Sequence, residues 1–306
     1  MLTAPLRDGQ SLAYRTLGRA DAPTVVMLHG YAMEGAMWIP HVLPLLRKYR
    51  FILPDFRGFG KSHMVPYAHK DVVRNHAEDV EDLLKALVPK ERVILAGLSM
   101  GALTGLAFAE RGGFSRVRGY VHIDQAPRIF NDAGYTFGLF GDRQDAQLAH
   151  LGSLLQASEQ VAHLPFASVP EDLAFEVRKA FAEFFGSAFR PAWLKRVVGN
   201  VRHKVIASNV LPLSNWNAYM DCLRAYMEQR YDFSDALSKL DTPVHVMVGE
   251  ASELYPAAGQ HLFAQSLKRA HVHSFQNTGH AIPFERPLMF QKKFQSALES
   301  ICRSEA

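Results

Sequence analysis

The sequence has few cysteines: Cys222 and Cys302 are the only two among 306 residues. Two cysteines this far apart form neither a metal-binding spacing nor a disulfide framework, which excludes zinc ribbons and small disulfide-stabilised domains. We expect both thiols to be reduced.

Long apolar runs are also absent. No stretch of about 18 uninterrupted apolar residues occurs, so the sequence predicts no membrane-spanning helix. The first residues read MLTAPLRDGQSLAYRTLG and carry an acid and polar groups where a secretory signal needs an apolar run. The sequence by itself therefore predicts a cytoplasmic protein.

No run of one charge sign stands out. The chain has 34 Lys and Arg against 30 Asp and Glu, a net charge of +4, and no basic segment as dense as a nucleic-acid-binding arm. We therefore expect no nucleic-acid partner. The length and the 48% hydrophobic content indicate one large α/β domain, or one domain with an insertion.

Short apolar runs alternate with helical patterns in the first 125 residues. The runs that predict strands are 11–16, 24–28, 50–54, 92–96 and 119–123. The patterns that predict helices are 71–87 and 102–110. This alternation predicts a mostly parallel twisted sheet with helices on both faces.

The pattern changes near residue 127, and no convincing strand follows until about residue 236. Amphipathic helices are predicted there instead, for example over 171–185 and 215–230. The prolines that separate these helices are Pro165, Pro170, Pro191 and Pro212. Strands at 242–248 and 271–275 and a helix at 287–302 complete the sequence. We therefore predict a core formed by 1–126 and 236–306, with a helical cap inserted over 127–235.

The pentapeptide Gly97-Leu98-Ser99-Met100-Gly101 lies between a predicted buried strand and a predicted helix. A serine between two glycines at such a junction is typical of a nucleophile elbow, a sharp turn that tolerates only small neighbours. Ser99 is therefore the candidate nucleophile.

A serine hydroxyl needs a nearby base, and a third group that orients the base. Of 14 histidines, His280 has the right position, because it follows the last predicted strand and so emerges at the same sheet edge as Ser99. The other histidines have simpler interpretations. Core positions are expected for His122 and His245, and solvated or helix-surface positions for His63, His69 and His76.

Four motifs in this order resemble the α/β-hydrolase superfamily: His29-Gly30, Asp55-x-Arg57-Gly58-x-Gly60-x-Ser62, Gly97-x-Ser99-x-Gly101 and Gly279-His280. The resemblance covers roughly 1–125 and 236–306, and 127–235 matches only as the family's variable cap. It implies an oxyanion hole made by the main-chain N–H groups of Met100 and Tyr31. It also implies a structural turn with an internal ion pair at Asp55 and Arg57, and no metal or organic cofactor.

The triad acid departs from the family's commonest pattern. Relatives usually place aspartate where this sequence has Ser252, in Gly249-Glu250-Ala251-Ser252-Glu253, and Glu253 comes one residue late. Asp124 ends the strand after the elbow helix, where some dehalogenases and short-chain esterases carry their acid. We therefore predict Asp124 as the acid and Ser252 as an auxiliary hydrogen-bond partner. Glu253 remains an alternative acid, and Asp124 could instead be a helix cap or loop anchor.

These residues predict a serine hydrolase that cleaves small to medium apolar carboxylic esters through an acyl-enzyme on Ser99. The serine excludes the dehalogenase and epoxide-hydrolase branches, which use an aspartate nucleophile. A carbon–carbon bond hydrolase, which would need an arginine such as Arg128 or Arg190 for its substrate carboxylate, a lactonase and a perhydrolase remain alternatives. A ligand-binding receptor on the same fold is the non-enzyme alternative. The oligomeric state stays open.

The predicted cap is rich in large apolar side chains. We expect most of them to pack the cap and the rest to line an acyl pocket over Ser99. They are Phe130, Tyr135, Phe137, Phe140, Phe166, Phe181, Phe184, Phe185, Trp193, Trp216 and Tyr219.

Overall fold

The computed structural model describes residues 1–200 and 215–304 and contains one eight-stranded sheet. Its strands are β1 (Leu2–Pro5), β2 (Ser11–Gly18), β3 (Thr24–Leu28), β4 (Arg50–Pro54), β5 (Val93–Leu98), β6 (Val117–Ile123), β7 (Val244–Gly249) and β8 (Ala270–Phe275). The order across the sheet is β1-β2-β4-β3-β5-β6-β7-β8. The β1–β2 and β2–β4 pairings are antiparallel, and all others are parallel.

Helices connect the strands. They are α1 (Ile39–Val42), α2 (Val72–Leu87), α3 (Met100–Glu110), α4 (Gln144–Ser158), α5 (Glu171–Ala188), α6 (Ala192–Gly199), α7 (Trp216–Glu228), α8 (Ala257–Gln265), α9 (Ile282–Glu285) and α10 (Pro287–Arg303). The 3₁₀ turns are Gly35–Trp38, Leu43–Leu45, Gly60–Ser62, Gly113–Arg116, Gly141–Arg143, Glu159–Val161 and Phe166–Ser168. Within the described ranges, no helix is long and apolar enough to cross a membrane.

Both faces of the sheet are covered, which explains the unbroken apolar runs in the sequence. Successive side chains of a strand point to opposite faces. Val26 of β3 accordingly packs in the core beneath α2 and α3, whereas Val25 packs with Phe290 and Phe294 of α10 on the other face. The predicted mostly parallel sheet flanked by helices is therefore confirmed.

Some elements differ from the sequence prediction. Strand β1 and helix α8 were not predicted, and β5 begins at Val93 and continues to Leu98, directly against the pentapeptide serine. Strand β1 has a partly exposed alternation over only four residues, which gives a weak periodic signal. Pro212, one of the prolines expected to separate helices, lies outside the described residues.

The turn after β4 is built differently from the expected internal ion pair. Asp55 pairs with Arg15 at 3.1 Å, whereas Arg57 pairs with Asp79 at 2.7 Å and with Asp8 at 2.6 Å. The expected Asp55–Arg57 pair was therefore wrong. Each side chain therefore ties the turn to a different element: Asp55 to β2 through Arg15, and Arg57 to α2 through Asp79.

Between β6 and β7, the described residues contain the helices α4 to α7 and no strand. Aromatic side chains join these helices to the loop after β3: Tyr31 contacts the rings of Phe181, Phe184 and Tyr219 at 5.5–6.3 Å. Helices α5 and α7 therefore lie over the end of the sheet from which Tyr31 emerges. The domain limits of 127 and 235 stay a prediction.

Candidate active site

Ser99 occupies a strained turn between β5 and α3. Its backbone has φ 54° and ψ −120°, a conformation that non-glycine residues seldom adopt. A Cβ at Gly97 would lie 2.4 Å from the carbonyl oxygen of Gly101, and one at Gly101 would lie 2.4 Å from that of Leu28. Only glycine fits at both positions, so the Gly-x-Ser-x-Gly spacing follows from the close packing of this turn.

Asp124 follows β6 directly, is fully buried and has φ 45°. Its Oδ1 accepts hydrogen bonds from Gly249 N–H at 2.7 Å and from Gln260 Nε2 at 3.1 Å. Its Oδ2 accepts from Ser252 Oγ at 2.7 Å and lies 2.7 Å from His280 Nδ1. Four donors thus use the acceptor capacity of one carboxylate.

His280 lies in the loop between β8 and α9 and is 6% exposed. An ionised carboxylate can only accept hydrogen bonds, so the contact with Asp124 puts a proton on Nδ1 of His280. In the neutral ring this leaves Nε2 as a proton acceptor.

The structure brings three of the five predicted catalytic and auxiliary residues into contact: Asp124, Ser252 and His280. Ser99 lies at the end of β5, the strand next to β6, and faces a cavity. Glu253 points elsewhere: it pairs with Lys195 at 2.5 Å and Arg143 at 3.6 Å, and its side chain is 40% exposed.

Gln260 is a site residue that the sequence analysis missed. It lies on α8, is fully buried, and its Nε2 donates both to Asp124 and to the carbonyl oxygen of Tyr255 at 3.1 Å. No sequence motif marks this glutamine. Its only signal is a polar residue inside a short helical segment, and that helix was itself not predicted.

The two predicted oxyanion donors flank Ser99. Met100 is the first residue of α3, so its N–H is one of the groups that a helix leaves without an intrahelical acceptor. On the other side, a Cβ at Gly30 would lie 3.5 Å from the Cβ of Ser99, which puts the Gly30–Tyr31 turn beside the serine.

His29 holds that turn in place. Its Nε2 accepts a hydrogen bond from Phe56 N–H at 2.9 Å, and its Nδ1 lies 2.8 Å from the carbonyl oxygen of Gly30. Burial lowers the pKa of His29 to about 4, so the ring is neutral near pH 7. His29 therefore shapes the loop.

An apolar cavity of about 30 Å³ lies against Ser99. Its walls include Tyr31, Phe184, Cys222 and Tyr226. Burial raises the pKa of the Cys222 thiol, which is therefore neutral. Of the eleven large cap side chains, Phe184 lines this cavity, and the others include both buried Trp216 and exposed Trp193.

Arg128 and Arg190 are the candidates for binding a substrate carboxylate. Arg128 forms ion pairs with Asp132 and Asp232, and neither Arg128 nor Arg190 is among the described residues that line the cavity. Across residues 1–200 and 215–304, no cluster of three or more His, Cys, Asp or Glu side chains has the geometry to hold a metal ion.

The class of protein follows from the fold and the site together. A mostly parallel sheet has a serine at a strand-to-helix elbow, and a buried aspartate–histidine pair comes from the loops after β6 and β8. The family profile described as "alpha/beta hydrolase fold" matches residues 23–287. The chain belongs to this family.

Individual relatives cover nearly the whole chain at low identity. Proline iminopeptidase PfmaB of Pestalotiopsis fici is 25% identical over 298 residues, which are 95% of this chain and 97% of that protein. A thermophilic esterase from Thermogutta terrifontis has a TM-score of 0.74 at 21% identity, with 98% of both chains covered. The enol-lactonase of Burkholderia xenovorans LB400 has a TM-score of 0.74 at 21% identity and covers 97% of this chain and 100% of its own. These two structures share the fold of this chain, and the activities in their names are those of the other proteins.

Proposed function

We propose that this protein is a serine hydrolase of carboxylic esters, with Ser99, His280 and Asp124 as its catalytic triad. The observation that carries the proposal is the 2.7 Å contact between His280 Nδ1 and the buried Asp124 carboxylate, at the sheet edge where Ser99 occupies its elbow. A buried carboxylate that fixes the ring through Nδ1 leaves Nε2 to act as a base. The four hydrogen bonds to Asp124 favour it over Glu253, whose partners are Lys195 and Arg143.

In the proposed mechanism, His280 Nε2 takes the Ser99 hydroxyl proton while Ser99 Oγ attacks the ester carbonyl. The N–H groups of Tyr31 and Met100 donate to the developing oxyanion, a contribution of about 3 kcal/mol each in comparable sites. The protonated histidine then passes its proton to the leaving alcohol, and an acyl group remains on Ser99. Water, deprotonated by His280, cleaves this ester and restores the serine.

The cavity supports a preference for small, uncharged acyl groups. Its walls are largely apolar, and its free space of about 30 Å³ is room for only about two or three water molecules, at about 10–15 Å³ each. A longer acyl chain would have to displace side chains such as Phe184 or Tyr226. We propose that 127–235 form the cap that encloses this pocket.

A lactonase or a perhydrolase can use the same triad, so both activities remain alternatives to ester hydrolysis. A carbon–carbon bond hydrolase needs a cation free to bind the substrate carboxylate, and the pairing of Arg128 with two aspartates speaks against that residue. The non-enzyme alternative, a ligand-binding receptor on the same fold, would bind its ligand without hydrolysing it.

A fluorophosphonate probe tests the mechanism directly. We expect it to label the folded protein at Ser99 and to leave Ser99→Ala unlabelled. In a p-nitrophenyl ester series, acetate and butyrate should be turned over more than about tenfold faster than dodecanoate. Lactones and dienol acids, assayed in parallel, discriminate the alternative substrates. An unlabelled wild type with no ester turnover contradicts the proposal and favours a receptor.

A further inference from the structure

Hydrogen bonds hold the main chain on both sides of His280, one to the end of α5 and one to Glu285 at the end of α9. Ala281 N–H donates to the carbonyl oxygen of Ala188 at 2.9 Å. On the other side, Gly279 N–H donates to Glu285 Oε2 at 3.1 Å. The main chain of His280 is therefore held by its two immediate neighbours.

Glu285 connects these two pieces of chain. While its Oε2 accepts from Gly279, its Oε1 accepts from the main-chain N–H of Arg190 at 2.9 Å, two residues beyond α5. The packing at this point is close: a Cβ on Gly279 would lie 2.7 Å from Glu285 Oε1 and 3.0 Å from Arg190 N. One carboxylate thus bridges the histidine loop and the chain after α5.

Helix α5 also forms part of the cavity wall. Phe184 lines the cavity beside Ser99, and Phe184 and Phe181 both contact the ring of Tyr31. A continuous set of contacts therefore leads from the acyl-binding side of the cavity, through α5 and Glu285, to the main chain of His280.

We propose that Glu285 is a positioning residue, which sets the place of His280 relative to the cavity wall formed by α5. This inference rests on the proposed function, since it assigns His280 the role of base. Glu285 is not among the residues that line the cavity, so its effect reaches the reaction only through the histidine.

The chemistry of the bridge requires a carboxylate. Both partners are N–H donors, and only a carboxylate presents an acceptor at each of its two ends. Glutamine keeps one acceptor oxygen but turns an NH₂ group towards the second N–H donor. Alanine removes both acceptors.

We therefore expect kcat to fall by about 10- to 100-fold in Glu285→Ala, because small displacements of a catalytic group are costly. The KM for p-nitrophenyl acetate should stay within about twofold of wild type, because no group that binds substrate is removed. Glu285→Gln should lie between wild type and alanine, and it remains informative if the alanine variant does not fold. The rate of Ser99 labelling by the fluorophosphonate should follow the same order.

Glu250→Ala is the matched control. Glu250 follows β7 at this edge of the sheet, and its carboxylate pairs with His261 at 3.0 Å. It should keep the wild-type kcat and labelling rate. Folded Glu285 variants with wild-type kcat and labelling rate, or with losses equal to those of Glu250→Ala, overturn the positioning role alone. A wild type that the probe fails to label overturns the proposed function itself.

Discussion

At the scale of single residues, the site depends on how Asp124 is held. Its carboxylate is fully buried, and four donors surround it, three of them the side chains of Ser252, Gln260 and His280. Ser252 occupies the position where relatives commonly carry the acid, and here it donates to an acid that comes from a different strand. Asp124 therefore contacts both Ser252 and His280 through the same carboxylate oxygen.

Replacing Asp124 with asparagine should lower kcat for ester hydrolysis by about 10³- to 10⁴-fold, because an amide no longer fixes the histidine with its proton on Nδ1. Glu253→Gln should lower it by less than about twofold, because an exposed ion pair contributes little. Steady-state turnover of p-nitrophenyl acetate measures both.

Circular dichroism of both variants controls for folding. Near-normal turnover in Asp124→Asn together with a collapse in Glu253→Gln would reverse the assignment of the acid.

At the scale of elements, main-chain contacts tightly constrain the junction of β5 and α3. Gly97 and Gly101 approach main-chain atoms so closely that a Cβ would overlap them. By contrast, a Cβ at Gly186, near the end of α5, would meet no atom within 4 Å. The two glycines that lie in helices, Gly101 and Gly186, therefore differ: Gly101 has no room for a side chain, and Gly186 has.

Gly101→Ala should destabilise the protein by about 2 kcal/mol or more, because the carbonyl of Leu28 cannot move without distorting β3. Gly186→Ala should be neutral or stabilise it by up to about 1 kcal/mol, through helix propensity. Urea unfolding midpoints measure both effects.

Fluorophosphonate labelling should be lost in Gly101→Ala and kept in Gly186→Ala. Equal stabilities of the two variants would show that the elbow tolerates a side chain.

At the scale of the whole molecule, acid should destabilise the fold. Five buried or half-buried histidines have pKa values lowered to about 3–4, chiefly by burial. They are His29, His76, His122, His245 and His273. His76 was expected at a solvated or helix-surface position, and this was wrong: it is fully buried and stacks on Phe56 at 4.3 Å.

The direction in which stability changes with pH follows from which state binds protons first. Below about pH 6.5 the unfolded chain protonates these histidines, whereas the folded chain does so only near pH 3–4. Their stabilising effect is therefore complete above pH 6.5 and is lost as the pH falls towards 3–4. Asp79 opposes this trend, because burial raises its pKa to about 6 and the folded state takes up that proton first.

We expect the free energy of unfolding to fall between pH 7 and pH 5, by up to about 1.4 kcal/mol per pH unit for each such histidine. His76→Gln should be less stable at pH 7 and should show a shallower pH dependence. His69→Gln, at an exposed position, is the control and should keep the wild-type slope. A stability that does not change between pH 7 and pH 5 would contradict this account.

Much of this molecule could be predicted from local sequence. The alternation of apolar runs and helical patterns predicted the parallel sheet, because strands covered on both faces must be apolar throughout. The elbow could be recognised because its serine and both glycines lie within five consecutive residues at a strand–helix junction, although the contact that requires Gly101 is with Leu28 of β3. His280 was selected by its place after the last strand, which is again a property of chain order.

Tertiary structure decided what distant segments do to each other. Asp124, Ser252, Gln260 and His280 are up to 156 residues apart in the chain, and only the sheet order β6-β7-β8 brings them together. Tertiary structure also decided that Arg57 pairs with Asp79 and not with Asp55. It likewise placed the Glu285 carboxylate next to the main-chain N–H of Arg190, just beyond α5. Hydrogen bonds and ion pairs of this kind depend on side-chain direction and distance, which sequence spacing does not specify once the partners lie on different elements.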